Sequence, residues 1–147
     1  MTPDPYDLQR FVEAQRSTYD IALAEVRNGA KRSHWMWFIF PQFNGLGMSP
    51  RSIRYSIKSV AEAKVYLLHA LLGPRLIEIA QAALDVDGAS AREIFGTPDD
   101  AKLKSCATLF AHASLAGSVF HDVLHKYFEG RPDERTMQLL SDDERRL

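Results

Sequence analysis

With 147 residues, a formal net charge of −1, 46% apolar and 25% charged side chains, the chain has the composition of an ordinary globular protein, which excludes a disordered or fibrous polypeptide. A chain of this length buries roughly 70% of the surface it exposes when unfolded, enough for a single domain over residues 1–147 with its own core. The lone Cys106 excludes an intrachain disulfide, and the opening Met-Thr-Pro-Asp-Pro-Tyr-Asp has neither the basic nor the apolar region of a secretory leader, so the expected location is the cytoplasm.

In chain order, Leu8, Phe11, Val12, Gln15, Tyr19, Ala22, Leu23 and Val26 recur every three or four residues, which predicts one helix stopped by Gly29, with the amide of Gln15 inside its apolar stripe. Trp35 to Phe40 is the longest strongly apolar run. It reads equally as a buried helical turn or a strand, and it is too short to cross a bilayer, so no membrane partner is expected. Ser59 with Glu62 spells a capping box ahead of Val60, Ala63, Leu67 and Leu71, and Gly73-Pro74 punctuates that helix. Arg75 to Leu84 is helical by spacing, and Ser90 with Glu93 repeats the box before a short helix ending near Gly96. Thr97-Pro98-Asp99-Asp100 predicts a long helix to about Leu115, because the hydroxyl caps and the carboxylates face the positive end of the dipole. Val119 to Phe128 follows, ended by Gly130 and Pro132, and Asp133 to Leu140 forms a last short helix. No segment alternates apolar and polar residues as a half-buried strand does, so the expected fold is all-α.

Charge is distributed unevenly along this series. Between Val26 and Ala61 there is no acid, while Arg27, Lys31, Arg32, Arg51, Arg54 and Lys58 are positive, leaving −7 for the rest of the chain. A surface without function intersperses both signs, because a patch of one sign repels itself unless something binds there. Both tryptophans lie in the same stretch. Gly45 and Gly47 permit close backbone approach, Ser49-Pro50 opens a helix whose free N–H groups favour an anion, and Arg51 and Arg54 add charge. The expected site is therefore a pocket for a phosphorylated, ring-bearing small molecule, with Lys31, Arg51 and Arg54 on the anion and Trp35, Trp37 and Tyr55 around the ring. His34 and Gln42 supply polar edges, and Gln15 either braces helices or touches the ligand. Two competing readings use the same residues. The tryptophans suit core anchors, and the basic face suits a non-catalytic module that binds RNA or an acidic protein.

Among the acids, Glu62 follows the basic stretch directly and is the candidate catalytic carboxylate, and His34 is the other candidate polar catalyst. His121, His125 and Glu129 share a helix face but lack a fourth ligand, and they read as a solvated face rather than a metal site; Cys106 reads as a buried thiol rather than a nucleophile. No cofactor motif is present, since Gly45-x-Gly47 lacks the third glycine of the dinucleotide fingerprint.

The chain resembles the bacterial domain of unknown function 1810 family. The resemblance rests on Asp7-Leu8-x-Arg10-Phe11-x-x-Ala14-Gln15, on Lys31-x-Ser33-His34-Trp35-Met36-Trp37-Phe38-Ile39-Phe40-Pro41-Gln42, on Gly45-Leu46-Gly47 and Glu62-Ala63, and on motifs through Thr108-Leu109-Phe110. It implies a compact, armadillo-like bundle of about eight helices and no particular activity. A more distant similarity, in size, helical content and scattered residues such as Ala14-Gln15 and Ala101-Lys102, is to the NADAR group of N-glycosidases. It implies hydrolysis of an N-glycosidic bond as a reaction to test. The spacing of glutamate and glutamine in that group's first helix is not reproduced around Glu13 and Gln15.

Overall fold

The structure, a computed structural model, describes residues 3–146. Met1 and Thr2, part of the opening stretch read above for a leader, lie outside them, as does Leu147. The described chain is all helical, with ten helices rather than about eight: α1 Gln9–Gln15, α2 Tyr19–Arg27, α3 Met36–Ile39, α4 Pro50–Arg54, α5 Val60–Leu68, α6 Leu72–Leu84, α7 Ala91–Phe95, α8 Asp99–Ala113, α9 Val119–Phe128 and α10 Glu134–Arg145. A single parallel bridge, Phe43 to Ile57, ties the two sides of the loop that carries α4. Trp35 to Phe40, ambiguous in sequence, is one buried helical turn, α3.

The expected first helix is two, because its halves answer to different neighbours. On α1, Phe11 packs edge-on against Tyr66 of α5 at 5.1 Å. On α2, the Tyr19 hydroxyl donates to Glu78 at 2.5 Å and lies 2.9 Å from the carbonyl of Arg75, both on α6. Burial and the Glu78 hydrogen bond push that phenol far above the ordinary tyrosine range. The break at Arg16 to Thr18 lets each half turn its own face inward.

Caps set most of the other boundaries. The Ser90–Glu93 box forms in full. At α5 only half of the expected box does: Ser59 accepts from the N–H of Glu62, but the Glu62 side chain accepts from the N–H of Lys58 and not from that of Ser59. Thr97 does not cap α8; Pro98 holds that place, and the first free donors go to the carbonyls of Gly96 and Pro98. A box that the sequence reading missed has His121 in the usual glutamate position, its ring nitrogen 2.8 Å from the Ser118 hydroxyl. The last helix runs past Leu140 to Arg145, because Asp143 and Glu144 find partners on α5 and α8.

The core is continuous through Phe11, Trp35, Phe40, Tyr66, Leu76 and Phe110. Cys106 lies within it, and burial raises its thiol well above the ordinary range, as expected of a packing residue. Among the described residues no single helix is long and apolar enough to cross a membrane. At the tight corner between α5 and α6, a Cβ on Gly73 would lie 2.0 Å from the carbonyl oxygen of Leu67, so the corner closes only on glycine. Gly73→Ala should therefore lower stability by about 3 kcal/mol, the upper range for overpacking, in urea unfolding at neutral pH.

Candidate functional site

The side chain that organises the candidate site is Arg10, buried on α1. Each of its five N–H groups has an acceptor: Nε donates to the carbonyl of Arg54 at 2.8 Å, Nη1 to those of Tyr6 at 2.6 Å and Asp7 at 2.8 Å, and Nη2 to that of Ser56 and to Glu62 Oε2, both at 2.8 Å. The guanidinium also stacks 4.3 Å over the ring of Phe11. Arg10 thus joins the segment before α1, the end of α4 and the start of α5. Its ion pair with Glu62 is nearly sealed, with 6% and 2% of the two side chains exposed.

Above this pair lies an open groove of about 690 Å³, lined by Pro5, Tyr6, Asp7, Arg10, Pro50, Ile53, Arg54, Lys58, Ser59 and Glu62. Lys58 folds back so that its ammonium donates to the carbonyls of Ile53 at 2.8 Å and Ser56 at 3.1 Å and to the Ser56 hydroxyl. Burial, with the Arg10 guanidinium beside it, pulls that ammonium below the ordinary lysine range, and Glu62 offsets part of the effect. Arg54 is exposed at the rim. Three cations from α1, α4 and the α4–α5 connection therefore converge on one opening, with a carboxylate at its floor. A second groove, about 630 Å³, is lined mainly by apolar groups such as Leu67, Leu68, Ile77, Leu115 and Phe120, with Lys64 as its one charged residue.

Of the residues expected to form one pocket, the structure brings Arg54 and Glu62 to this groove and sends most of the others elsewhere. Trp35 is fully buried and donates from Nε1 to Glu25 at 2.9 Å; it offers no face to a ligand, and its reading as a ring platform is corrected to that of a core anchor. Lys31 is also spent inside, 2.8 Å from Asp99 and 2.6 Å from the carbonyl of Ser33, so it is a structural cation. Gln15 is buried and braces three elements, donating to the Phe38 carbonyl at 2.8 Å and the Tyr66 hydroxyl at 3.2 Å and accepting from Arg75 at 3.4 Å; the bracing alternative holds and ligand contact does not. Tyr55 packs on Phe11 and Phe38. Trp37 is half-buried, with Arg51 and Lys102 within 4.9 and 5.4 Å of its ring, and this cluster is separate from the groove lining. His34 is exposed and Gln42 half-buried, and neither lines the groove. His34 therefore does not pair with Glu62.

Sequence reading missed Arg10, Tyr6 and Glu25. Arg10 stands between Leu8 and Phe11 but off their apolar stripe, about 200° round the helix from Leu8, so periodicity carried no signal for its burial. Glu25 gathers the N–H groups of Arg32 and Ser33, the Ser33 hydroxyl and the Trp35 indole, and so folds the acid-free loop onto α2. Burial alone would raise its carboxyl, yet these hydrogen bonds hold it down to about 2.

With the geometry in place, comparison defines the class of protein: residues 5–140 match the model of the family described as protein of unknown function (DUF1810), and the chain belongs to that family. It is similar to a solved structure, the conserved hypothetical protein Rv1873 from Mycobacterium tuberculosis, at 53% identity over 94% of this chain and 99% of that one, with a TM-score of 0.92. Comparison with curated proteins gives no match.

Two outcomes follow from the buried charges. Glu62→Gln leaves Arg10 buried without its counter-charge and should cost about 3 kcal/mol or more in chemical unfolding. Because the Glu25 carboxyl is depressed in the fold, its stabilisation is complete above the unfolded value near 4.5 and is lost as pH falls toward about 2. Glu25→Gln should therefore flatten the acid limb of a stability profile measured between pH 5 and pH 2.

Proposed function

We propose that the groove over the Arg10–Glu62 pair binds a small phosphorylated, ring-bearing molecule of the nucleotide or ADP-ribose kind. Arg54 meets the phosphate, Lys58 adds positive charge beside it with its three N–H groups already engaged, and Tyr6 and Ile53 flank the ring. The observation that carries this reading is the convergence of three cations from separate segments on one opening whose floor is already fixed. Its volume of about 690 Å³ falls within the range of small-molecule sites. Arg10 has no free N–H, so it shapes the site and supplies long-range positive potential, while the exposed Arg54 makes direct contact.

The reaction this arrangement supports is hydrolysis of an N-glycosidic bond. Both carboxylate oxygens of Glu62 already accept hydrogen bonds, from Arg10 and from the N–H of Lys58. With 2% of its side chain exposed and its charge paired with Arg10, Glu62 fixes the floor beneath the sugar and does not take a proton from water.

Isothermal titration and thermal shift with AMP, ribose 5-phosphate and ADP-ribose test the binding. A ligand at 100 times its dissociation constant should stabilise the fold by about 2.7 kcal/mol. Arg54→Glu should weaken that binding at least tenfold while leaving the melting temperature of the free protein within a few degrees. Release of free base from AMP or of nicotinamide from NAD, followed by chromatography, tests the reaction. Binding of none of the three, together with RNA binding whose affinity falls steeply with salt, would overturn the small-molecule reading in favour of the polyanion module.

A further inference from the structure

The floor of the groove is held from behind by the C-terminal helix. The N–H of Val60, the first residue of α5, has no partner within its own helix, and it donates to Asp143 Oδ2 on α10 at 3.0 Å. In that same turn Ser59 caps the N–H of Glu62, and Glu62 accepts from Lys58 and Arg10. Asp143 thereby completes the set of contacts that fix the turn presenting Glu62, and its charge suits the positive end of the α5 dipole. One residue on, Glu144 contacts Nε2 of His112 on α8. One turn earlier on the same face of α10, Leu139 lies 3.3 Å from where a Cβ on Gly45 would stand, in the loop leading to α4. One helix therefore touches both the start of α5 and the loop before α4.

We propose that α10 is a strap that positions the groove floor through Asp143, with the His112–Glu144 contact holding the strap on α8. A cavity of about 300 Å³ lined by Ser59, Val60, Ala61, Lys64, His112, Asp143 and Glu144 separates the strap from α5, and Ser59 lines both this cavity and the groove. The charged groups facing His112 are Glu144 and Asp143 from α10 and Lys64 from α5, with Arg145 beside it on the far side of Glu144. The His112–Glu144 contact ties the end of α10 to α8 and so holds the Asp143 cap against the first turn of α5. Asp143 is a positioning residue, acting through the first turn of α5. What the strap does to ligand affinity rests on the groove reading above; the coupling itself does not.

The test is run first without ligand, on the full chain, by amide exchange and by NMR of the Val60 N–H and the Arg10 Nε–H. In Asp143→Ala the Val60 protection should be lost and the Arg10 signal displaced, with Asp143→Asn, which keeps an acceptor oxygen, restoring most of both. His112→Ala removes the contact with Glu144 and should lower Val60 protection severalfold while keeping the fold. An unmoved Arg10 signal in Asp143→Ala, or unchanged Val60 protection in His112→Ala, overturns the proposal. Ribose 5-phosphate then serves as probe: equal affinity in wild type and Asp143→Ala overturns the strap's hold on binding and leaves the groove reading standing. Displaced Arg10 signals with no binding of the probe to wild type support the strap and count against the groove's ligand.

Discussion

A single guanidinium holds this structure's most polar region together. Arg10 is buried with five donors and five acceptors, four of them backbone carbonyls from segments that no helix would otherwise join. Burying a charge is costly unless it is both paired and hydrogen-bonded, and here both conditions are met in one place. Arginine alone suits the position, because its planar fork can reach carbonyls in several directions while still pairing with Glu62; a lysine has three donors and no fork. The wall of the groove before α1, the end of α4 and the first turn of α5 are therefore not independent features. They share one fixed point.

The same economy explains where the basic stretch goes. Residues 26 to 61 carry no acid, yet the cations there do not stand as a single bare patch. Glu25, just outside the stretch, gathers the backbone of Arg32 and Ser33, and Asp99 from α8 reaches Lys31. Lys58 and Arg10 together gather the carbonyls where α4 ends, which is where the helix dipole favours positive charge. Arg51 lies over Trp37. At the groove, what remains after these uses is the positive edge at Arg54, beside an opening. The functional reading shrinks from a broad basic face to a small groove, and its chemistry becomes more specific as a result.

This redistribution also separates the two tryptophans, which the sequence presents as a pair. They are two residues apart, on opposite sides of a short helical turn, so one must face inward when the other faces out. Trp35 takes the core, where Glu25 satisfies its N–H, and Trp37 takes the boundary. Gln15 shows the same logic. Its amide on an apolar stripe was visible in the sequence, but its partners are the Phe38 carbonyl, the Tyr66 hydroxyl and Arg75, from parts of the chain far away in order.

The sequence by itself determined what local physics controls: helical periodicity, the cap at Ser90, the stop at Gly29, the burial of Cys106, an all-α class and the family to which the chain belongs. It also marked Glu62 and Arg54. It did not show that the first helix breaks, since Arg16 to Thr18 could continue a helix and only the separate demands of α5 and α6 divide it. Nor could it place Arg10 at the centre, because spacing along the chain says where a charge starts and not which four carbonyls it will meet. Tertiary structure decided that, for the reason that a buried ion is stable only where several distant segments arrive together with matching acceptors.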